Sequence, residues 1–148
     1  MPQRRSLSAV FGLLTVFMLL FGVRADCGQA SEKVRVDSET TIDVKPGTTR
    51  LDTKVGSMDF TYAKIEMSPP ANGIVKVRLK VAGTNVSDHD HDAEVKATLV
   101  GDQVNSSITK KREIEEGEHD KELSFEFRAT TEQVASGLRF KLTLSYLP

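Results

Sequence analysis

Hydrophobic and polar residues alternate along most of the second half of the chain. Residues 75–81 set Val and Leu against Lys and Arg, and residues 93–99, 123–129 and 138–146 repeat the same period of two. This period places one side chain in a core and the next in water, which predicts half-buried antiparallel strands. Because no stretch of comparable length has helical spacing, the chain is predicted to be all-β.

Turn-rich segments separate the predicted strands at intervals of about 8–12 residues, as in sandwiches and barrels. A phase slip at Tyr62–Ala63 indicates a β-bulge, and residues 106–114, which include three consecutive cations, indicate an edge strand. Upstream, two short strands are predicted on either side of residues 37–39. Residues 131–135 predict one helical turn that ends at Gly137.

We predict a two-sheet antiparallel β-sandwich, because every strong strand has one polar face. In strand number and spacing the chain resembles immunoglobulin and fibronectin type III domains. The resemblance is at class level, because the chain contains one cysteine and no tryptophan and so lacks the Cys…Trp…Cys pattern of true immunoglobulin domains. A single cysteine also excludes an internal disulfide.

The N-terminus has the layout of an export signal. Two arginines, Arg4 and Arg5, precede an uncharged apolar stretch at residues 7–23, and a region of mostly small residues follows. A basic start, an apolar middle and a small-residue end are typical of a cleavable secretory signal. We therefore predict a signal peptide at residues 1–30 and a secreted or periplasmic location for the remainder.

Two cleavage sites fit this signal, one after Ala25 and one after Ala30, and both precede a single predicted domain at residues 31–148. Two alternatives stay open. The apolar stretch is near the short limit for a bilayer span, so an uncleaved anchor is one of them. A lipid-modified Cys27 is the other, although the aspartate before this cysteine fits that pattern badly.

Removal of the leader changes the formal net charge from −1 to −3, because residues 1–30 contain three Arg and one Asp. A mildly acidic domain without a basic stripe is a poor candidate for binding nucleic acid or an anionic membrane. We expect neither as a partner after signal cleavage. Phosphate-binding glycine loops and the G-x-S-x-G nucleophile motif are absent from the sequence, so the chain is predicted not to be an enzyme.

The connections at residues 83–92 and 115–120 are predicted to share one pole of the sandwich. If each strand crosses the sandwich once, successive connections alternate between its two ends. We call this pair of segments the acidic pole, since it holds all three histidines and seven carboxylates: Asp88, Asp90, Asp92, Glu115, Glu116, Glu118 and Asp120. Mutual repulsion in such a cluster is expected to raise some of the carboxyl pKa values.

Metal binding is one hypothesis for the acidic pole, and a solvated surface is the other. The D-x-D-x-D spacing at residues 88–92 is the spacing that opens calcium loops, although the rest of the EF-hand pattern is absent. Two histidines at i and i+2, with a third from the other connection, would instead suit zinc or copper(II). The candidate metal ligands are Asp88, His89, Asp90, His91, Asp92, Glu116, Glu118 and His119.

The sequence favours a secreted, non-catalytic β-sandwich module that contacts another secreted or envelope protein. The alternative is an extracellular module that binds a divalent metal, either calcium, zinc or copper, through the acidic pole. A carbohydrate-binding module is not favoured, because sugar platforms need exposed aromatic rings. The alternation turns all six aromatic residues after the leader, Tyr62 among them, toward the core.

Overall fold

The structure, a computed structural model, describes residues 35–148, which form eight strands and one short helix. The elements are β1 (Val36–Asp43), β2 (Gly47–Val55), β3 (Met58–Met67), β4 (Ile74–Asn85), β5 (His91–Gly101), β6 (Val104–Ile114), β7 (Lys121–Thr130), α1 (Thr131–Ser136) and β8 (Leu138–Leu147). The predicted signal peptide and its two cleavage sites lie outside the described residues. In residues 35–148, no helix has the length and apolarity needed to span a bilayer.

The strands form two four-stranded antiparallel sheets. Sheet A has the order β1-β8-β5-β6, and sheet B has the order β2-β3-β4-β7. The predicted two-sheet sandwich is therefore confirmed. Its strand order differs from that of an immunoglobulin constant domain, whose larger sheet takes the first, second, fifth and fourth strands of the chain. Sheet B instead places three consecutive strands side by side, so the immunoglobulin resemblance holds only at the level of a sandwich.

The inner faces of both sheets meet in one hydrophobic core, as the alternation predicts. Its central layer includes the aromatic rings of Phe127 and Phe140, whose centroids lie 5.2 Å apart. Burial of one such large side chain contributes about 1.5–3 kcal/mol relative to an exposed position. The largest fully buried residues include Phe60, Phe125, Phe140, Met58, Leu79, Leu99, Ile114, Leu142 and Leu144.

The predicted bulge lies in β3, where the register against β4 shifts between Phe60 and Tyr62. Phe60 and Ala63 are both buried in the core. Tyr62 lies between them on the outer face and donates a hydrogen bond to Glu122 Oε2 at 2.8 Å. That bond is the main reason why the pKa of Tyr62 is raised. The expectation that Tyr62 faces the core is wrong, because the bulge changes the face on which it lies.

The first two strands also differ from the sequence prediction. β1 continues without a break through residues 37–39, so the predicted split there is wrong. The Arg35 guanidinium reaches across sheet A to Glu94 Oε1 at 2.6 Å and helps to hold this strand. The alternation does not indicate β2, which is an edge strand with mostly exposed side chains and a register shift between Arg50 and Thr53.

The predicted edge strand and helical turn are both confirmed. β6 lies at the edge of sheet A. Helix α1 begins with two reciprocal bonds, since the Gln133 amide donates to Thr130 Oγ1 at 3.1 Å and the Thr130 amide donates to Gln133 Oε1 at 2.9 Å. This pattern is a capping box. The helix ends at Gly137, whose φ of 99° is accessible mainly to glycine.

Candidate functional site

The two connections of the acidic pole lie side by side, as predicted. β4 continues to Asn85 and β5 begins at His91, so the connection between them is residues 86–90. The Glu116 amide donates a hydrogen bond to Asp90 Oδ1 at 2.9 Å. The Asn85 amide donates to the carbonyl of Glu118 at 3.1 Å. One side-chain bond and one main-chain bond therefore join the two connections.

Asn85 organises the acidic pole from inside. Its side chain is 1% exposed, and its Nδ2 donates to the carbonyls of His89 and Ile114, each at 2.8 Å. Its Oδ1 accepts from the amide of Ser87 at 2.9 Å and from the Ser87 hydroxyl at 2.8 Å. This amide group donates two hydrogen bonds and accepts two, and all four hold the chain, so Asn85 has a structural role.

The three aspartates at residues 88–92 do not converge. Asp88 is exposed, with Oδ1 at 3.7 Å from Nε2 of His89, whereas Asp90 caps the amide of Glu116. Asp92 belongs to β5 and forms an ion pair with Lys111 of β6 at 3.4 Å. Successive residues of a strand point to opposite faces, so His91 and Asp92 are directed to different sides of sheet A.

Glu118 has a lowered pKa, contrary to the expected effect of repulsion. Its carboxylate accepts from Lys121 Nζ at 2.9 Å and from the amide of Glu115 at 3.0 Å. These two bonds favour the charged form and hold the pKa below its ordinary value. The carboxylate of Asp120 is similarly engaged, since it accepts from the Thr61 hydroxyl at 2.7 Å. Local donors therefore dominate over neighbouring negative charge at Glu118.

The histidines are arranged as a pair and a single residue. The His89 and His91 ring centroids lie 6.5 Å apart in an edge-on arrangement. His91 Nε2 lies 3.2 Å from the Tyr146 hydroxyl, and its Nδ1 is buried without a hydrogen-bond partner among the described residues. His119 is exposed in the second connection, as is Glu116.

Residues 35–148 bring together no group of three or more His, Cys, Asp or Glu side chains that could hold a metal ion. The eight candidate ligands share one pole, but they are divided among capping bonds, an ion pair, a histidine–tyrosine contact and exposed positions. Binding of calcium, zinc or copper(II) would require these side chains to move, and it stays a prediction.

A second charged surface lies on the outer face of sheet B. The Glu66 carboxylate is shared by three cations, with Lys64 at 3.6 Å, Lys80 at 3.8 Å and Arg78 at 3.9 Å. Arg78 also contacts Glu126 of β7 at 3.5 Å. Lys76 of β4 and Arg128 of β7 lie opposite each other in the register of the two strands. Both side chains are exposed and extend this surface. We call these residues the basic face: Lys64, Glu66, Lys76, Arg78, Lys80, Glu126 and Arg128.

Comparisons with known proteins do not assign this chain to a family. No family model matches it. No curated protein matches it significantly. Among solved structures it is similar to the Salmonella enterica trimeric lipoprotein SadB, with a TM-score of 0.39 and 12% identity over 95% of this chain and 80% of that one. A likeness of this size carries no argument about fold or function.

Sequence reasoning did not identify the basic face or Asn85. Lys76, Arg78 and Lys80 share one face of β4 by alternation alone. Lys64 of β3 and Arg128 of β7 join them only through the pairing of the strands. The expectation of a domain without a basic stripe is therefore wrong at the level of the surface. For Asn85 the sequence does contain a signal of a structural role, because asparagine side chains in turns often bond to the main chain two residues on.

Proposed function

We propose that the chain is exported and that its sandwich is a non-catalytic contact module for another secreted or envelope protein. The observation that carries this proposal is the separation of charge on the folded surface. Seven carboxylates belong to the acidic pole, whereas the basic face gathers five cations around two carboxylates. Complementary charge patterns steer association and select partners.

Export is supported by the leader pattern at residues 1–30, and contact by the rigid sandwich that follows it. In this proposal the domain has the role that immunoglobulin and fibronectin type III sandwiches commonly have, although its strand order differs. Both outer faces of the described sandwich carry exposed charged side chains, so either face is available for a partner.

Intact-mass measurement of the exported protein tests the first half of the proposal. We expect a chain shortened at Ala25 or Ala30. Full-length protein retained in a membrane would contradict cleavage and support an anchor. An added acyl mass at Cys27 would instead support the lipoprotein alternative.

Site-specific photo-crosslinking in the producing cell tests the second half. A photoreactive residue is placed in turn at Arg128 on the basic face, at Asp88 in the acidic pole and at Thr98 on the outer face of sheet A. We expect a discrete protein adduct from at least one position, which reversal of the neighbouring charges abolishes. Exported protein that forms no adduct at any position would contradict a contact function.

A further inference from the structure

Along the outer edge of β7, side chains bond to the main chain near both ends of the strand and leave the main-chain groups between them open. Near the acidic pole, Arg112 Nη1 donates to the carbonyl of Glu122 at 2.8 Å. At the other end, the amide of Thr130 donates to Gln133 Oε1 at 2.9 Å. Both bonds use main-chain groups of even-numbered residues, and both partners lie outside sheet B.

Between these two ends, the direction of each main-chain N–H and C=O follows from whether its residue number is odd or even. Main-chain groups of an antiparallel strand point to alternate sides at successive residues. The even-numbered residues of β7 therefore face away from β4, as Glu122 and Thr130 do. Ser124, Glu126 and Arg128 have this direction, are exposed, and receive no side-chain bond to their main-chain groups within residues 35–148. Three consecutive N–H and C=O pairs are thus left along about 13 Å of edge.

Cations outnumber carboxylates beside this edge. A groove of about 460 Å³ runs along it and is lined by Arg78, Lys80, Lys110, Ser124, Phe125 and Glu126. Lys110 points from β6 over the Phe125 ring, with Nζ 5.8 Å from the ring centroid. Lys110 and Arg128 have no ion-pair partner in the described part of the chain. Positive charge therefore lies on both sides of the open main-chain groups.

Two of the other strand edges in residues 35–148, those of β6 and β2, are protected in ways that β7 is not. β6 presents three consecutive cations, residues 110–112, and β2 is interrupted by a register shift between Arg50 and Thr53. Consecutive charges and irregularities are common means of preventing unwanted strand pairing. β7 has no proline and pairs with β4 without a register shift, so its edge keeps the regular geometry that an added strand requires.

We propose that the open edge of β7 binds an extended, acidic segment of a partner protein as a fifth strand of sheet B. The proposal rests on the contact function proposed above and names its surface and its partner chemistry. The partner's main chain pairs with Ser124, Glu126 and Arg128. Its alternate carboxylates lie against Lys80 and Arg128 on the outer side, or against Lys110 on the inner side. A basic segment would bring like charges together at the same positions.

The probe for this proposal is a capped eight-residue peptide of alternating Thr and Glu, titrated into the 15N-labelled exported protein at low salt. We expect shifts and slower hydrogen exchange at the amides of Ser124, Glu126 and Arg128, with little change elsewhere. A peptide of alternating Thr and Lys should not bind. The Thr–Glu peptide with an N-methyl group on every residue should also lose binding, because neither of its edges keeps the donors that pair with β7.

Two pairs of variants separate charge from main-chain pairing. The double variant Lys110→Glu/Arg128→Glu reverses charge on both sides of the edge and should weaken binding at least about tenfold, as expected for loss of a close charge pair. Lys96→Glu on the outer face of sheet A should change binding less than twofold. Ser124→Pro removes an amide that the fold does not use and is tolerated on a strand edge. It should abolish binding, and Ser124→Ala should not. The N-methylated peptide gives the same information without any change to the protein.

Three results would overturn the proposal. One is equal binding of the acidic and basic peptides, and another is binding that persists with the N-methylated peptide. The third is concentration-dependent protection of the β7 amides without peptide, which would identify the occupant as a second copy of this chain. If these tests fail while photo-crosslinking from Asp88 or Thr98 captures a partner, the contact function stands and only the β7 surface is wrong.

Discussion

Replacement of Asn85 by alanine should be one of the most damaging polar substitutions in this fold. The side chain makes four hydrogen bonds and is buried beneath the acidic pole. Its bond to the carbonyl of Ile114 is fully buried, so water cannot replace that bond when the side chain is removed. Asn85→Ala therefore affects the end of β6 and the β4–β5 connection together.

The expected magnitude follows from the burial of each bond. The fully buried bond to Ile114 contributes about 0.5–1.5 kcal/mol. The bonds to His89 and Ser87 are only partly buried, and water replaces part of their energy, so together they contribute about 1–2 kcal/mol. We expect Asn85→Ala to lower the free energy of unfolding by about 3 kcal/mol.

Urea unfolding followed by far-UV circular dichroism measures this change, and Asn105→Ala is the matched control. Asn105 is exposed on the outer face of sheet A, so its replacement should change the free energy of unfolding by less than about 0.5 kcal/mol. A loss below about 1 kcal/mol for Asn85→Ala, at unchanged m-value, would refute the assignment of Asn85 as the organiser of the pole.

The role of Asn85 also predicts how the stability of the Asn85→Asp variant depends on pH. The substitution replaces the Nδ2 donor with an oxygen that faces the carbonyls of His89 and Ile114. Burial and these carbonyls disfavour the charged carboxylate, so its pKa rises on folding. The variant should then be least stable above the raised pKa, and it should regain stability as the pH falls through that value toward the pKa of the unfolded chain. A pH-independent loss would contradict this account.

Four further predictions concern the core, the turns and the acidic pole. Phe140→Ala should cost about 3–5 kcal/mol in urea unfolding, because Phe140 is fully buried; a loss below 1 kcal/mol would place the ring outside the core. Gly56→Ala should cost about 1–3 kcal/mol, because Gly56 has a φ of +63° and an added Cβ would meet the Tyr146 ring; an unchanged melting temperature would contradict that contact. Lys121→Gln should raise the pKa of Glu118 toward its ordinary value in a carboxyl NMR titration. In the parent protein, the stabilisation from Glu118 is present above its unfolded-state pKa and is lost as the pH falls through the lowered folded value. If the acidic pole binds calcium, zinc or copper(II), which is one of the two hypotheses from the sequence, a hundredfold excess over Kd should stabilise the fold by about 2.7 kcal/mol. Thermal melts unaffected by these ions would assign the pole to a solvated surface, the other hypothesis.

The sequence predicts the central strands well and the edge strands poorly. β4, β5, β7 and β8 each have one face in the core and one in water, which gives a clear period of two. β1 and β2 are edge strands in which most residues are exposed on both faces. Their places are set by pairing with β8 and β3, and local alternation has no information about such distant partners.

The sequence predicts where the acidic pole lies, but it does not predict whether its side chains converge. The parity of strand crossings is enough to bring residues 86–90 beside residues 115–120. Convergence of the ligands depends on where β5 begins, since a change of one residue reverses the side to which each side chain points. β5 begins at His91, so Asp92 faces Lys111 rather than the other carboxylates. A loop that ended two residues later would have kept the aspartates in one segment.

Both ends of the described chain lie at the acidic pole, because Val36 pairs with Tyr146 and Leu147 pairs with Asp92. Ends that are neighbours in space can be joined, and the chain can then be reopened at an exposed hairpin. A circular permutant that links residue 148 to residue 35 and opens between Asp102 and Gln103 would keep all six strand pairings. Its two termini would lie at the opposite pole. The pole at which the termini lie is therefore a property of chain order, which a gene rearrangement can change without redesigning the sandwich.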